Sequence, residues 1–232
     1  MTLGLTVAKY VAGETKFQGS IVARERFSVT VTVSSSSYSG TVTLYANSKT
    51  SDTAFKLATV TMKAGKGSAT GLMISQVLAD GDASRKITAV GANRTDTGSI
   101  EIGVWFRGIA TTHDFAPPNN CSGSCPSDAV ALPAYDLCET GIEVYSAESG
   151  RSTSGKVWDV GPWFDYNHCG SDAYWLKGTV PLATTYKGQP MSAACGGSDK
   201  RIINGAIIDI SPSMMSALRG SGTINNALWR FA

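Results

Sequence analysis

Apolar and polar residues alternate with a period of two through the first half of the chain. Phe27, Val29, Val31 and Val33 interleave with Ser28, Thr30, Thr32 and Ser34; Val42, Leu44 and Ala46 interleave with Thr41, Thr43 and Tyr45. Ile100, Ile102, Val104 and Phe106 interleave with Glu101, Gly103, Trp105 and Arg107. Successive side chains of a strand point to opposite faces, so this pattern predicts half-buried antiparallel strands with one wet face. Turn-forming clusters separate the strands: Ser34–Ser39 with Gly40, Ala64-Gly65-Lys66-Gly67, Asp80-Gly81-Asp82 and Asn93-Arg94-Thr95-Asp96. About seven short strands without helical periodicity predict a β-sandwich over residues 1–108. The serine run reads as a solvated hairpin tip. Pro117-Pro118, among small polar residues, predicts a semi-rigid linker over 109–127. His113 and Asp114 fall in that linker, where a histidine is ordinarily solvated; the other reading is half of a catalytic arrangement.

In the second half the pattern predicts strands at Ala129–Leu132, Gly141–Ser146, Ser154–Val160, Ala206–Ile210 and Ala227–Phe231, a small barrel over 128–232. One short helix is marked: Ser211 as its cap, Pro212 in its first turn, Met214, Met215 and Leu218 as its apolar face, and Gly220 as its left-handed end. Two strands end in an aspartate beside break-forcing residues, Asp159 before Gly161-Pro162 and Asp209 before Ser211-Pro212. A carboxylate at a strand end beside a loop sits where chemistry or binding is commonly done; the alternative is that it satisfies turn backbone. A long insertion over about 165–203 interrupts the barrel, and long structured loops tend to be functional.

Composition narrows the function classes. The 232 residues carry a formal net charge of +2, with 42% hydrophobic and 16% charged residues. Residues 1–120 carry +4 and the remainder −2, and there is no Lys/Arg run, so nucleic acid is not an expected partner. No segment approaches the roughly 20 apolar residues of a membrane span. The N-terminus lacks the basic start and apolar core of a signal peptide, so an extracellular location implies another route out, such as lysis. All five cysteines (Cys121, Cys125, Cys138, Cys169 and Cys195) lie in the second half. That clustering favours disulfides with one thiol left over, Cys169 and Cys195 being the first pair expected; a zinc site built on Cys121 and Cys125 is the alternative. No metal or other cofactor is expected.

Two resemblances emerge from these residues. Gly40-Thr-Val-Thr-Leu-Tyr45, Leu57–Met62, Gly67–Thr70 and Lys86–Val90 resemble bacterial immunoglobulin-like repeat domains over about residues 20–108. Lys156-Val-Trp-Asp-Val-Gly-Pro-Trp-Phe164, Asn204–Pro212, Ala217-Leu218, Trp229-Arg-Phe231 and the segment Leu137–Tyr145 resemble the double-psi β-barrel of rare-lipoprotein-A-like proteins, shared with expansins and family-45 endoglucanases. The fold expected is therefore all-β: an Ig-like sandwich, then a small double-psi β-barrel with one short helix. The second resemblance implies binding or cleavage of β-linked polysaccharide, peptidoglycan above all, with Asp159 as general acid/base of a lytic transglycosylase mechanism. Asp209 is implied either as a second catalytic acid or as a carboxylate orienting the helix start. The bacterial enzymes carry a histidine upstream of the segment matching Leu137, where this chain reads Leu132-Pro-Ala-Tyr-Asp136; His168 and Tyr135 are the substitutes. Tyr135, Trp163, Tyr166, Tyr174 and Trp175 are expected to contact sugar, although Tyr166, Tyr174 and Trp175 can equally roof the barrel or face a neighbouring subunit.

The functional expectation is a phage virion surface or tail protein, or another extracellular protein, carrying a cell-wall-glycan-directed barrel. Its expected partners are bacterial wall glycan and other virion proteins or its own copies. A peptidoglycan-cleaving enzyme is the alternative.

Overall fold

The structure is a computed structural model that describes residues 2–8, 19–48, 54–74, 84–93, 95–115, 121–134, 137–164 and 169–232. The chain is all-β with a barrel. It divides into two compact units, Met1–Trp105 and Phe106–Ala232.

The first unit holds β1 (Leu3–Ala8), β2 (Ser20–Val22), β3 (Phe27–Val33), β4 (Gly40–Ser48), β5 (Ala54–Met62), β6 (Lys66–Leu72), β7 (Ser84–Gly91) and the first part of β8 (Thr97–Thr112). One sheet runs β1-β3-β6; the other runs β5-β4-β7-β8, with β2 added to β8 in parallel. The alternation read from the sequence decides which faces are buried. Phe27, Val29 and Val31 in one sheet and Val42, Leu44 and Ala46 in the other are at most 3% exposed, whereas the intervening residues keep contact with solvent. The turn Ala64-Gly65 has φ of 49° and 76°, and Lys63 and Lys66 exchange both backbone hydrogen bonds across it. Two consecutive left-handed residues are the requirement of a tight hairpin turn, and glycine meets half of it without a Cβ penalty. The serine run is solvated as expected but is not a hairpin tip. It joins β3 to β4, which belong to different sheets. The turn expected at Asp80–Asp82 lies outside the described residues.

In the second unit the end of β8 joins β9 (Ala129–Leu132), β10 (Gly141–Ser146), β11 (Arg151–Val160), β12 (Ala206–Ile210) and β13 (Thr223–Phe231). Going round, the order is β8-β12-β9-β11-β10-β13 and back to β8, a closed six-stranded barrel. The pairs β8–β12 and β9–β11 are parallel and the other four antiparallel. Closure leaves no sheet edge to be protected. Residues 109–112, expected to open the linker, are instead barrel strand. The Pro-Pro signal lies further on, and Ile109-Ala110-Thr111-Thr112 carries ordinary strand residues that pair with Ala206–Ile210. Gly108 permits the close approach: a Cβ there would lie 2.3 Å from the Ile207 Cδ1 atom.

Four short helices are present among the described residues, three more than the pattern marked: α1 (Tyr174–Lys177), α2 (Leu182–Thr185), α3 (Met191–Cys195) and α4 (Pro212–Ala217). The expected helix is α4. The Ser211 hydroxyl accepts the Met214 N–H and Pro212 occupies the first turn. Its end differs by one residue from expectation. Arg219, not Gly220, is left-handed (φ 55°), and the N–H groups of Arg219 and Gly220 close on the carbonyls of Ser216 and Met215. This is the Schellman arrangement, in which the left-handed residue precedes the one that makes the longer bond. Gly220 is required for space instead, because a Cβ would stand 2.1 Å from the Met215 sulfur.

The other three helices fold the insertion. Phe164, Ala183, Met191 and Ile203 form its own small core, and Cys169–Cys195 closes its loop. A second disulfide joins Cys121 to Cys138, and Cys125 is the free thiol. The buried Asp172 carboxylate accepts the Leu182 N–H at 2.7 Å, and the Asp172 N–H donates to the Pro133 carbonyl at 2.7 Å, tying the insertion to the end of β9. Burial raises this carboxyl above its ordinary value, against the Leu182 hydrogen bond and Lys177. Cross-linking a 26-residue separation restricts the unfolded chain, which corresponds to about 3 kcal/mol. The Cys169→Ser/Cys195→Ser double variant is expected to lose roughly that much stability in urea denaturation. An unchanged midpoint would show that the insertion's own core suffices.

Candidate functional site

Two backbone irregularities build the site. On β11, Val157 is level with Val130 and Asp159 with Ala131, so Trp158 is an extra residue in the ladder. On β12, Ala206 is level with Ile109 and Ile208 with Ala110, so Ile207 is extra. A bulge shifts every later side chain to the other face of the sheet. Val157 therefore stays with Val130 on the core face, while Asp159 turns to the face of Ala131. Asp209 is level both with Ala131 on one side and with Thr111 on the other. Registered neighbours share a face, so Thr111, Asp209, Ala131 and Asp159 form one row across four adjacent strands.

That row is the floor of a cleft of about 340 Å³, also lined by Thr112, His113, Val160, Gly161, Pro162, Trp163, Arg201 and Asn204. Ala131 separates the two aspartates with no more than a methyl group, which leaves the floor open between them. Two strand spacings put the aspartate Cα atoms roughly 10 Å apart.

The two carboxyls differ in surroundings. Asp159 Oδ1 accepts the Val160 N–H at 2.9 Å, and the residue is half-buried. Asp209 accepts a hydrogen bond from the Thr111 hydroxyl. Burial pushes its carboxyl up to about 6; the Thr111 hydrogen bond and His113 act downward and Asp159 upward. An acid poised near 6 in a cleft is suited to proton transfer. Ser211 caps α4 directly.

Trp163 stands on the wall with its backbone in the left-handed region (φ 69°), uncommon for a bulky residue. Its Nε1–H donates to Asn204 Oδ1 at 2.8 Å, and the same oxygen accepts the Ala206 N–H at 2.8 Å. The ring is thereby held half-exposed at the cleft. Tyr174 and Trp175 are not stacking platforms. They are 3% and 1% exposed, packed edge-on with Phe106, Trp229 and Phe231, and the Tyr174 hydroxyl accepts the Trp229 Nε1–H at 2.9 Å and donates to the Ile207 carbonyl at 3.2 Å. The apolar interior of the closed barrel claims both rings, as the roofing alternative required. His168, Tyr135 and Tyr166 lie outside the described residues.

His113 is the residue that sequence reasoning set aside. Its N–H donates to the Ile210 carbonyl at 3.0 Å, extending β8 past Asp209, and its exposed ring meets Phe115 edge-on at 5.0 Å. The signal for it lay in the strand character of residues 109–112, which places residue 113 on the face of Thr111. Among the described residues no group of three or more His, Cys, Asp or Glu side chains is arranged to hold a metal. No known family model matches this chain, and no curated protein matches it either.

The raised Asp209 carboxyl has a consequence for stability. Below its ordinary value of 3.8 the group is protonated folded and unfolded alike. Between there and about 6 the unfolded chain ionises while the folded one holds its proton, so stability falls as pH rises. The full cost above that window is about 3 kcal/mol. Asp209→Asn is therefore expected to be more stable than wild type at pH 7 by up to about 3 kcal/mol, and equal to it below about pH 4, in urea titrations at the two values. A constant difference across that range would show that burial does not perturb this carboxyl.

Proposed function

We propose that the barrel is a cell-wall-glycan-directed module that binds β-linked polysaccharide, peptidoglycan above all, and cleaves it with Asp209 as general acid and Asp159 as the facing carboxylate. The observation that carries this reading is the row Asp209–Ala131–Asp159 on the cleft floor, one carboxyl held protonated toward neutral pH and the other in a more open setting. A carboxyl raised in this way is suited to act as the acid. Asp209 gives its proton to the glycosidic oxygen, whose bond to the anomeric carbon breaks. Asp159 takes the proton of the sugar's own hydroxyl as it closes on that carbon, so no water is consumed. His113 supplies an imidazole beside Asp209, the group missing from Leu132–Asp136. Trp163 offers the flat face on which a ring stacks.

The closed six-stranded barrel with two parallel pairs, and the bulged strand leading to Asp159, support the double-psi resemblance. The two-sheet first unit supports an Ig-like module. The setting we propose is a phage virion surface or tail, for which the disulfide-stapled, low-charge all-β chain is the supporting feature. Mass spectrometry of purified particles tests it by the presence or absence of the chain.

Incubation with purified peptidoglycan is expected to release anhydro-sugar products, with rates falling above about pH 6 as Asp209 ionises. Asp209→Asn and Asp159→Asn are each expected to lower the rate by at least about 100-fold while still sedimenting with the wall. Products one water heavier would replace the sugar's hydroxyl by solvent as the attacking group. Co-sedimentation without products at any pH would leave a binding module, and neither would overturn the reading.

A further inference from the structure

We propose that the Asn204 carboxamide reads the 2-acetamido group of a sugar stacked on Trp163, so that the cleft selects N-acetylated β-linked glycan over plain glucan. The inference rests on the glycan-directed reading and adds the residue that tells the two apart.

Asn204 lines the same cleft as Trp163 and the two aspartates, just ahead of β12. Its amide has one possible orientation. Oδ1 accepts the Trp163 Nε1–H and the Ala206 N–H, each at 2.8 Å. Both partners can only donate, so the atom they share is the oxygen and not the nitrogen. Two bonds use both lone pairs of that oxygen. What is left is the NH2 group, and among the described residues it meets no acceptor. Asn204 is exposed, so these two N–H groups are open to a ligand. The carboxamide thus serves the cleft as a donor only.

Its position decides what it can reach. Asn204 bonds the nitrogen at the edge of the indole, and Trp163 also packs against the small core of the insertion, so ring and carboxamide are held together. A β-linked ring of gluco configuration that stacks on an indole has equatorial substituents, which project from the sugar's edge and not into the aromatic face. A group at the indole edge therefore meets those substituents. A fixed donor matches the carbonyl oxygen of an acetamide, an acceptor with no proton of its own to place. A hydroxyl on the same carbon is shorter, both donates and accepts, and replaces a water that served the NH2 group equally well.

Calorimetric titration with a chitin oligomer and a cellulose oligomer of equal length tests this, since the two differ only in the group at C2. Wild type is expected to bind the chitin oligomer at least about tenfold more tightly, the effect of one well-made hydrogen bond. Asn204→Asp keeps an oxygen to accept the Trp163 and Ala206 N–H groups and replaces the donor by an acceptor. It is expected to weaken chitin binding at least about tenfold and to leave the cellulose oligomer within about twofold. Equal binding of the two oligomers by wild type, a preference that survives in Asn204→Asp, or equal weakening of both overturns the inference and leaves the glycan-directed reading intact. Wild type that sediments with purified peptidoglycan but binds neither oligomer overturns it too. Wild type that binds neither the oligomers nor the wall ends both.

Discussion

The parallel pairing of β12 with the end of β8 is the constraint on which the second unit depends. It closes six strands into a barrel and so removes the edges at which open sheets associate. It sets Thr111 level with Asp209, so a hydroxyl meets a carboxyl that the closed barrel has largely withdrawn from water. It also continues β8 far enough for His113 to reach the cleft. Gly108 is the local requirement for that pairing, since any side chain there would meet Ile207.

Closure creates a conflict that the bulges resolve. A barrel strand with strict alternation would place Asp159 on the face of Val157, where a carboxylate has no solvent and no partner. One extra residue, Trp158, moves Asp159 to the cleft face while Val157 stays in the core. The indole of Trp158 is itself buried, against Cys121 and Ala129, so the extra residue also joins the barrel to the segment held by the Cys121–Cys138 disulfide. The roof follows the same economy of space: α1 fills the barrel interior with Tyr174 and Trp175, and the polar tips of Tyr174 and Trp229 satisfy each other. Aromatic rings with a polar handle are suited to such a place.

Much of the fold was legible because it rests on local signals. Period-two alternation marked the strands, Ser211-Pro212 marked the start of α4, and the spacing of Cys169 and Cys195 around the insertion marked their bond. What could not be read was non-local. Residues 109–112 looked like the approach to a proline linker, and only their pairing with Ala206–Ile210 makes them barrel. Tyr174 and Trp175 had the composition of a sugar platform, and composition does not say whether a ring faces solvent or a neighbouring strand. Trp163, chemically similar, is at the cleft because Gly161-Pro162 breaks β11 and Asn204 holds its indole.

The same limit explains why the two aspartates exchanged weight. In the sequence they are near-equivalents, each an acid at the end of an apolar strand before a proline, and the likeness of Lys156–Phe164 to a family motif favoured Asp159. Surroundings separate them. Both flank Ala131, but Asp209 is paired on both sides, with Thr111 of β8 and Ala131 of β9, whereas the pairing of β11 with β10 ends at Lys156 and leaves Asp159 level with β9 alone. Desolvation acts on a carboxyl by favouring the form with a proton. The more enclosed aspartate therefore keeps its proton to higher pH. A motif identifies where a carboxylate sits along the chain, but strand pairing decides how far it is enclosed.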